Sequence, residues 1–246
     1  MIDTHAHLDA LDDPDGAVER ACEAGVRRIL TVGTSPEGWT RALALADRHD
    51  DVWAILGVHP HDSANGVDLD ALRRAQAHPK TVAVGEIGLD WFRDYAPREA
   101  QEPVFRRQLE LAAELGKPAV IHTRAADADT RATLADFDGT VVLHCFSSPH
   151  LLPDALERGW YVSFAGNATF SKATDLRLAA TQVPADRILA ETDCPYLAPQ
   201  PVRGRTNEPA YVMHTLAALA QARGDDPAEL GARIEANAAA CFGLPA

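Results

Sequence analysis

Lysine and cysteine are scarce in this sequence, and long apolar runs are missing. Among 246 residues there are four cysteines: Cys22, Cys145, Cys194 and Cys241. They lie far apart and form no CxxC pair, which argues against a zinc knuckle and against a disulfide framework. Free thiols fit a reducing compartment. The longest apolar runs are strand-length, and none approaches the roughly 20 residues of a membrane span. No basic segment followed by a long apolar stretch opens the chain, so no signal peptide is read and a cytoplasmic location is expected. Positive charge is in deficit, with 23 Lys and Arg against 36 Asp and Glu, a formal net charge of -13. A protein that coats nucleic acid by counterion release needs a basic footprint, and this chain lacks one. An enzyme that grips a phosphate locally remains open, because bound divalent cations reverse the sign of the field inside a site. No GxSxG nucleophile context, no GxGxxG and no GxxxxGK[ST] phosphate loop is present.

What is present is regular. Hydrophobic residues make up 46% and charged residues 24%, enough apolar side chain for a sizeable core. Short β-rich runs recur at 1–5, 27–33, 52–58, 81–88, 118–123, 140–146, 160–166 and 187–193. Stretches such as 15–25, 37–49 and 103–116 space their apolar residues at three to four and predict helices between the strands. Strand and helix alternate, so parallel crossovers are expected. Eight such units fit one closed (β/α)8 TIM barrel over residues 1–246, although an open doubly wound sheet has similar content. The stretch 197–209, rich in Pro and Gly, follows the eighth strand, and a long ordered loop there is commonly functional.

Barrel enzymes carry their chemistry at the C-terminal ends of the strands. At those places stand His5 and His7, then His59, Glu86, His122, His144 and Asp193. Side chains two apart on a strand share a face, so His5 and His7 can hold one cation together. Imidazole and carboxylate are ligands of zinc, manganese and related ions. Four histidines and two carboxylates exceed one tetrahedral site and suit a pair of ions, which one central glutamate can bridge. His49, His78, His150 and His214 lie on or beside helical stretches and read as solvated, while His61 is open to either role. Strand alternation sends Cys145 away from its neighbour His144, into the helix layer.

At these residues the sequence resembles the TatD family of metal-dependent deoxyribonucleases. The matching pieces include "DTHAHLD", "GVHPH", "GEIGLDWFRD", "HCFSS", "ETDCPYLAP" and "RGRTNEP", in order from residue 3 onward. The resemblance implies a TIM barrel with a two-metal phosphodiesterase site. It implies that His5, His7, Glu86 and Asp193 ligate one divalent ion. Glu86, His122 and His144 then ligate the other, and Glu86 bridges. The family pattern often has an acidic residue at position 125 and Gly at 148, where this chain has Ala125 and Ser148. The cofactors expected are two divalent ions, Zn, Mn or Mg. The partner expected is DNA, with single-stranded ends cut from 3′ to 5′; no membrane and no obligate protein partner is expected.

In that scheme Asp193 accepts a proton from the attacking water. Arg124, Arg203 and Arg205 are candidates to hold phosphate oxygens, because guanidinium matches them in bidentate fashion. Asn207 is expected to touch substrate or to cap the next helix. His59 points into the same mouth, and Trp91, Phe92 and Tyr196 are candidates to stack on a base. The alternative is a C–N or ester hydrolase of the wider amidohydrolase type. Many of those bridge their metals with a carboxylated lysine at a strand exit. Lys80 and Lys117 precede strands four and five, at the opposite barrel end, and Lys172 follows strand seven. The lysines therefore disfavour that alternative and leave Glu86 as the bridge. A non-catalytic metal-bound scaffold is the other alternative.

Overall fold

A computed structural model describes residues 1–93 and 95–245. Eight parallel strands follow one another around a barrel in chain order. They are β1 (Ile2–Ala6), β2 (Arg28–Gly33), β3 (Val52–Leu56), β4 (Thr81–Asp90), β5 (Ala119–Arg124), β6 (Val141–Leu143), β7 (Tyr161–Phe164) and β8 (Ile188–Ala190). Closure between β8 and β1 lies just beyond the end of β8. The Asp193 amide donates to the His5 carbonyl at 2.9 Å, and the His7 amide donates to Cys194 at 2.8 Å. The barrel, and not the open sheet, is therefore the fold. Each strand falls where the β-rich runs predicted it. β6 and β8 are shorter than expected, because the backbone turns sharply after them, with positive φ at Cys145 (44°) and Asp193 (57°).

The helices are α1 (Pro14–Glu23), α2 (Pro36–Arg48), α3 (Leu69–Gln76), α4 (Arg98–Leu115), α5 (Asp127–Leu134), α6 (Leu152–Arg158), α7 (Thr174–Gln182), α8 (Val212–Arg223) and α9 (Pro227–Phe242). Their starts are locally encoded. Asp13, Ser35, Asp68 and Asp226 each accept a hydrogen bond from a first-turn amide, and proline follows at once in α1, α2 and α9. Parallel strands covered by helices are buried on both faces, and every residue of β4 is buried. Ile2, Leu30, Ile55, Ile87, Ile121 and Phe164 belong to one apolar cluster and are fully buried. A second cluster joins Trp39, Leu56, Leu72, Val104 and Leu111 between α2, β3, α3 and α4.

Two buried glutamines couple the helix layer to the strand exits. α4 begins at Arg98, five residues before the predicted start, and tolerates Pro103 inside it. The early turn is held by Gln101. Its Oε1 accepts from the Asp90 amide at 2.9 Å, and its Nε2 donates to the Ala96 carbonyl at 2.9 Å. That keeps β4 extended to Asp90, two residues past its predicted end. Two turns further along α4, Gln108 makes both amide bonds to the backbone of Val58, which precedes His59. Lys80 and Lys117 stand at the other end of the barrel. Lys80 Nζ donates to the carbonyls of Ala46, His49 and Asp50, and Lys117 Nζ to those of Gln76 and Thr81.

Candidate metal centre

Two of the strands that carry the expected ligands contain an extra residue. β1 pairs Asp3 with Ile29 and then Ala6 with Thr31, so one residue around Thr4 and His5 is unmatched. β4 pairs Gly85 with Val120 and then Ile87 with Ile121, which leaves Glu86 unmatched. Such bulges re-aim a side chain next to a functional site. Close approach of β4 to β5 continues at Gly88, where a Cβ would lie 1.9 Å from the His122 carbonyl oxygen and φ is +147°. Only glycine fits there.

Glu86 ends up at the centre of the cluster, 3% exposed. Its Oε2 faces His5 Nε2 at 3.4 Å and His7 Nε2 at 3.6 Å. Its Oε1 faces His122 Nδ1 at 2.6 Å, His144 Nε2 at 3.0 Å and His59 Nε2 at 3.5 Å. Asp193 joins the first side, with Oδ1 3.5 Å from His7 Nε2. His5 and His144 stack at 3.7 Å between ring centroids, which draws the two sides together. All six residues expected from the sequence as ligands thus meet around one carboxylate. His59, expected in the mouth, comes as close to Glu86 Oε1 and to His122 Nδ1 (3.4 Å) as a ligand would. Nitrogen and oxygen atoms of His5, His7 and Asp193 lie close enough to share one ion, as do those of His59, Glu86 and His122, and of His5, Glu86 and His144. His49 and His78 pair instead with Asp15 and Asp47, away from this cluster, and His150 is exposed.

Two buried carboxylates behind the histidines were not read from the sequence. Glu191 Oε1 accepts from His144 Nδ1 at 2.7 Å and from the Cys145 amide at 2.8 Å, while Ser163 donates to Oε2. Asp90 Oδ2 faces His122 Nε2 at 3.2 Å and His61 Nε2 at 2.8 Å, and its Oδ1 accepts from the amides of Phe92 and Arg93. A carboxylate on the far nitrogen fixes the ring's orientation and raises its basicity. The available signal was parity, because Glu191 lies two before Asp193 and Asp90 lies four after Glu86. His61 takes its place in this outer layer.

Charge in the cluster follows from the same contacts. Burial opposes ionisation of Glu86, but charge on His144 and His59 and hydrogen bonds from His122 and His144 outweigh it and hold the carboxyl well below its ordinary value. Burial likewise opposes a charged His144, yet Glu86 and Glu191 raise it well above the ordinary imidazole value. Burial lowers His5, helped by His144, and brings His59 down to about 4, so both rings are neutral near pH 7. Asp193, buried against its ionisation, is still lowered by its hydrogen bond to His7 and by the charge on His144.

Two expectations, for Cys145 and Trp91, are corrected by the structure, and Asn207 gains a structural role. Cys145 does not enter the helix layer. Positive φ breaks the strand alternation, and its Sγ lies within ligand distance of donor atoms of His144 and Glu191. Asn207 is fully buried, and its Nδ2 donates to the carbonyls of Thr192 (2.9 Å) and Tyr196 (2.5 Å). It pins the loop after β8, and its Oδ1 accepts from the Glu208 amide at 3.1 Å. Trp91 donates to Asp129 at 2.7 Å and packs on the core, so it is loop structure and no stacking platform. Arg124 and Arg203 are exposed, Arg124 over the Phe92 ring and Arg203 over the Phe170 ring. Arg205 is exposed as well. Phe92 and Tyr196 are more than half exposed, as is Tyr95, which was not singled out.

The donor set fits a metal. Both ring nitrogens of His5 are buried and have no hydrogen-bond partner among the described residues, an expensive arrangement unless a cation takes a lone pair. Lys80 and Lys117 cannot bridge ions here, because both are tied to carbonyls at the opposite end of the barrel.

Comparison with known proteins points the same way. The family model described as "TatD related DNase" matches residues 2–243. An uncharacterized metal-dependent hydrolase, YabD of Bacillus subtilis, is 36% identical, with 98% of each chain covered. The 3'-5' ssDNA/RNA exonuclease TatD of Cronobacter sakazakii is 40% identical, covering 94% of this chain and 92% of that one. The crystal structure of YJJV, a TatD homologue from Escherichia coli K12, superposes with a TM-score of 0.93 at 30% identity, covering 100% of this chain and 98% of that one. Matched along nearly its whole length and built around such a cluster, this chain belongs to the TatD-related DNase family of metal-dependent hydrolases.

Proposed function

We propose that this protein hydrolyses phosphodiester bonds at single-stranded DNA ends, in the 3′ to 5′ direction, with two divalent cations (zinc, manganese or magnesium) in the cluster. The observation that carries the reading is the two-sided environment of Glu86: Oε2 faces His5 and His7, and Oε1 faces His122, His144 and His59. Glu86 would hold divalent ions together with His5, His7 and Asp193 on one side and His122 and His144 on the other. Held there, divalent cations would supply Lewis-acid activation of a water and of the phosphate.

The chain's own groups supply the rest. Asp193 is held ionised and stands at the mouth on its positive-φ turn, where it can take a proton. Glu191 and Asp90 keep His144 and His122 oriented. Arg124 and Arg203 project from the rim, where a guanidinium can pair with phosphate oxygens. Phe92 and Tyr196 offer exposed rings to an unpaired base, worth about 1–3 kcal/mol for each stacked base. A duplex hides its base faces, so an unpaired end suits this mouth better. The ssDNA/RNA exonuclease relative at 40% identity supports the same substrate class.

The test is a product time course on single strands labelled at either end, with a metal series and a chelator control. Metal-dependent release of short products from the 3′ end is expected. Hydrolysis of lactones or amides in preference to any phosphodiester would overturn the proposal.

A further inference from the structure

Two arginines at the barrel mouth each rest on a phenyl ring from a neighbouring loop. Arg124, the last residue of β5, lies with its guanidinium carbon 4.0 Å from the ring centroid of Phe92, in the loop after β4. Arg203, in the loop after β8, lies 4.2 Å from the ring centroid of Phe170, in the loop after β7. In both places the two loops are also tied directly. The Trp91 amide donates to the Arg124 carbonyl at 2.8 Å, and the Gln200 amide donates to Thr169 Oγ1 at 2.7 Å. Neither arginine pairs with a carboxylate among the described residues, although acidic side chains outnumber basic ones in this chain. Phe92 is 61% exposed, a large apolar surface left in water beneath a cation. Strand order sets the two pairs well apart around the rim, one by β4 and β5 and the other by β7 and β8.

A guanidinium stacked on a ring loses little further freedom when it forms a bidentate bond with phosphate, and its edge stays open to the ligand. We infer that Arg124 on Phe92 and Arg203 on Phe170 form two phosphate grips that hold a single nucleic-acid strand at two points beyond the bond being cut. This rests on the phosphodiesterase reading above and narrows it. The fitted substrate is an oligonucleotide, which has further phosphates to occupy the grips, and not a small isolated phosphodiester. Phe92 and Phe170 act as positioning residues for the arginines.

The test measures binding and turnover separately. Fluorescence anisotropy of a labelled oligothymidylate in EDTA, over a salt series, reads the grips without hydrolysis. Arg124→Ala and Arg203→Ala should each weaken binding about tenfold and make the slope of log affinity against log salt shallower by about 0.7. Phe92→Leu and Phe170→Leu, which keep apolar bulk but remove the π face, should each weaken binding about threefold, and Phe→Tyr at either place should restore it. In turnover of the arginine variants the oligonucleotide KM should rise at least about fivefold more than the KM for bis-p-nitrophenyl phosphate. Arginine variants that bind with wild-type affinity and slope would overturn the inference, and so would equal losses on both substrates. A wild-type protein that binds the strand with the expected slope but never cuts it would sink the phosphodiesterase reading and leave the grips standing. A wild-type protein that cuts bis-p-nitrophenyl phosphate but does not bind the strand would do the reverse.

Discussion

Replacing Glu191 with glutamine isolates one charge from the support of His144. The carboxylate is 1% exposed and accepts from His144 Nδ1 (2.7 Å), the Cys145 amide (2.8 Å) and Ser163. Glutamine can keep its oxygen toward His144 and Cys145 and turn its amide toward Ser163. That hydroxyl can then accept, because Thr4 Oγ1, 3.2 Å away, donates to the Ala190 carbonyl and is free to take the Ser163 proton. Shape and hydrogen-bond count are thus retained and only charge is lost. A hydrogen bond to a charged group is worth about 1.5–3 kcal/mol against about 1 for a neutral one, so the loss is about 0.5–2 kcal/mol. As 1.4 kcal/mol is about tenfold, divalent-metal affinity should fall about tenfold, the lower edge of what removing an outer-layer partner costs. Competition with a chromophoric chelator measures this directly. Glu191→Ala should do worse, losing about 3–5 kcal/mol of stability because His144 and the Cys145 amide are stranded. Wild-type metal affinity in Glu191→Gln would refute the claim that the charge on Glu191 strengthens His144 as a ligand.

Gly88→Ala should destabilise the barrel by about 3 kcal/mol or more and abolish metal binding, since the new Cβ collides with the His122 carbonyl at a φ that alanine avoids. Urea unfolding with a metal assay checks it, and near-wild-type stability would contradict it. Burial pushes the Asp3 carboxyl up to about 8, against donors from Thr192 and His5, while its ordinary value is 3.8. A raised carboxyl contributes stability that is complete below the unfolded value and is lost as pH rises through the folded one. The metal-free protein should therefore lose about 1.4 kcal/mol per pH unit from this group across that window. Asp3→Asn should remove that slope, so variant and wild-type stability curves should diverge between about pH 5 and pH 8. Parallel curves from urea titrations would contradict the assignment.

The legible part of this molecule was the part governed by short-range pattern. Strand positions followed from β-rich runs, seven candidate ligands followed from their common place at strand exits, and the family resemblance narrowed these to six. The outer layer was hidden because its signal is parity on strands whose ends could not be placed. β4 reads as ending at Gly88, but pairing of Leu89 and Asp90 with Thr123 and Arg124 of β5, together with the hold of Gln101 on the Asp90 backbone, extends it. Glu191 stands beside the more conspicuous Asp193, and its partner His144 is 47 residues away in sequence. Cys145 defeated the alternation rule because one positive φ reverses which way a side chain points. Asn207 had polar chemistry suited to substrate, and only the tertiary fold brings the carbonyls of Thr192 and Tyr196 to its amide. The stacking of Arg124 and Arg203 joins loops distant in sequence, and no local pattern encodes it.

The central claim is that Glu86 joins the two sides of the cluster by its two oxygens. Metal content of purified, metal-loaded protein, measured by mass spectrometry for wild type, Glu86→Gln and Glu86→Ala, tests it most directly, with the melting temperature of the metal-free forms as a check on folding. About two divalent ions per chain are expected for wild type and fewer than about one for either folded variant. Two tightly held ions in folded Glu86→Ala would contradict the account.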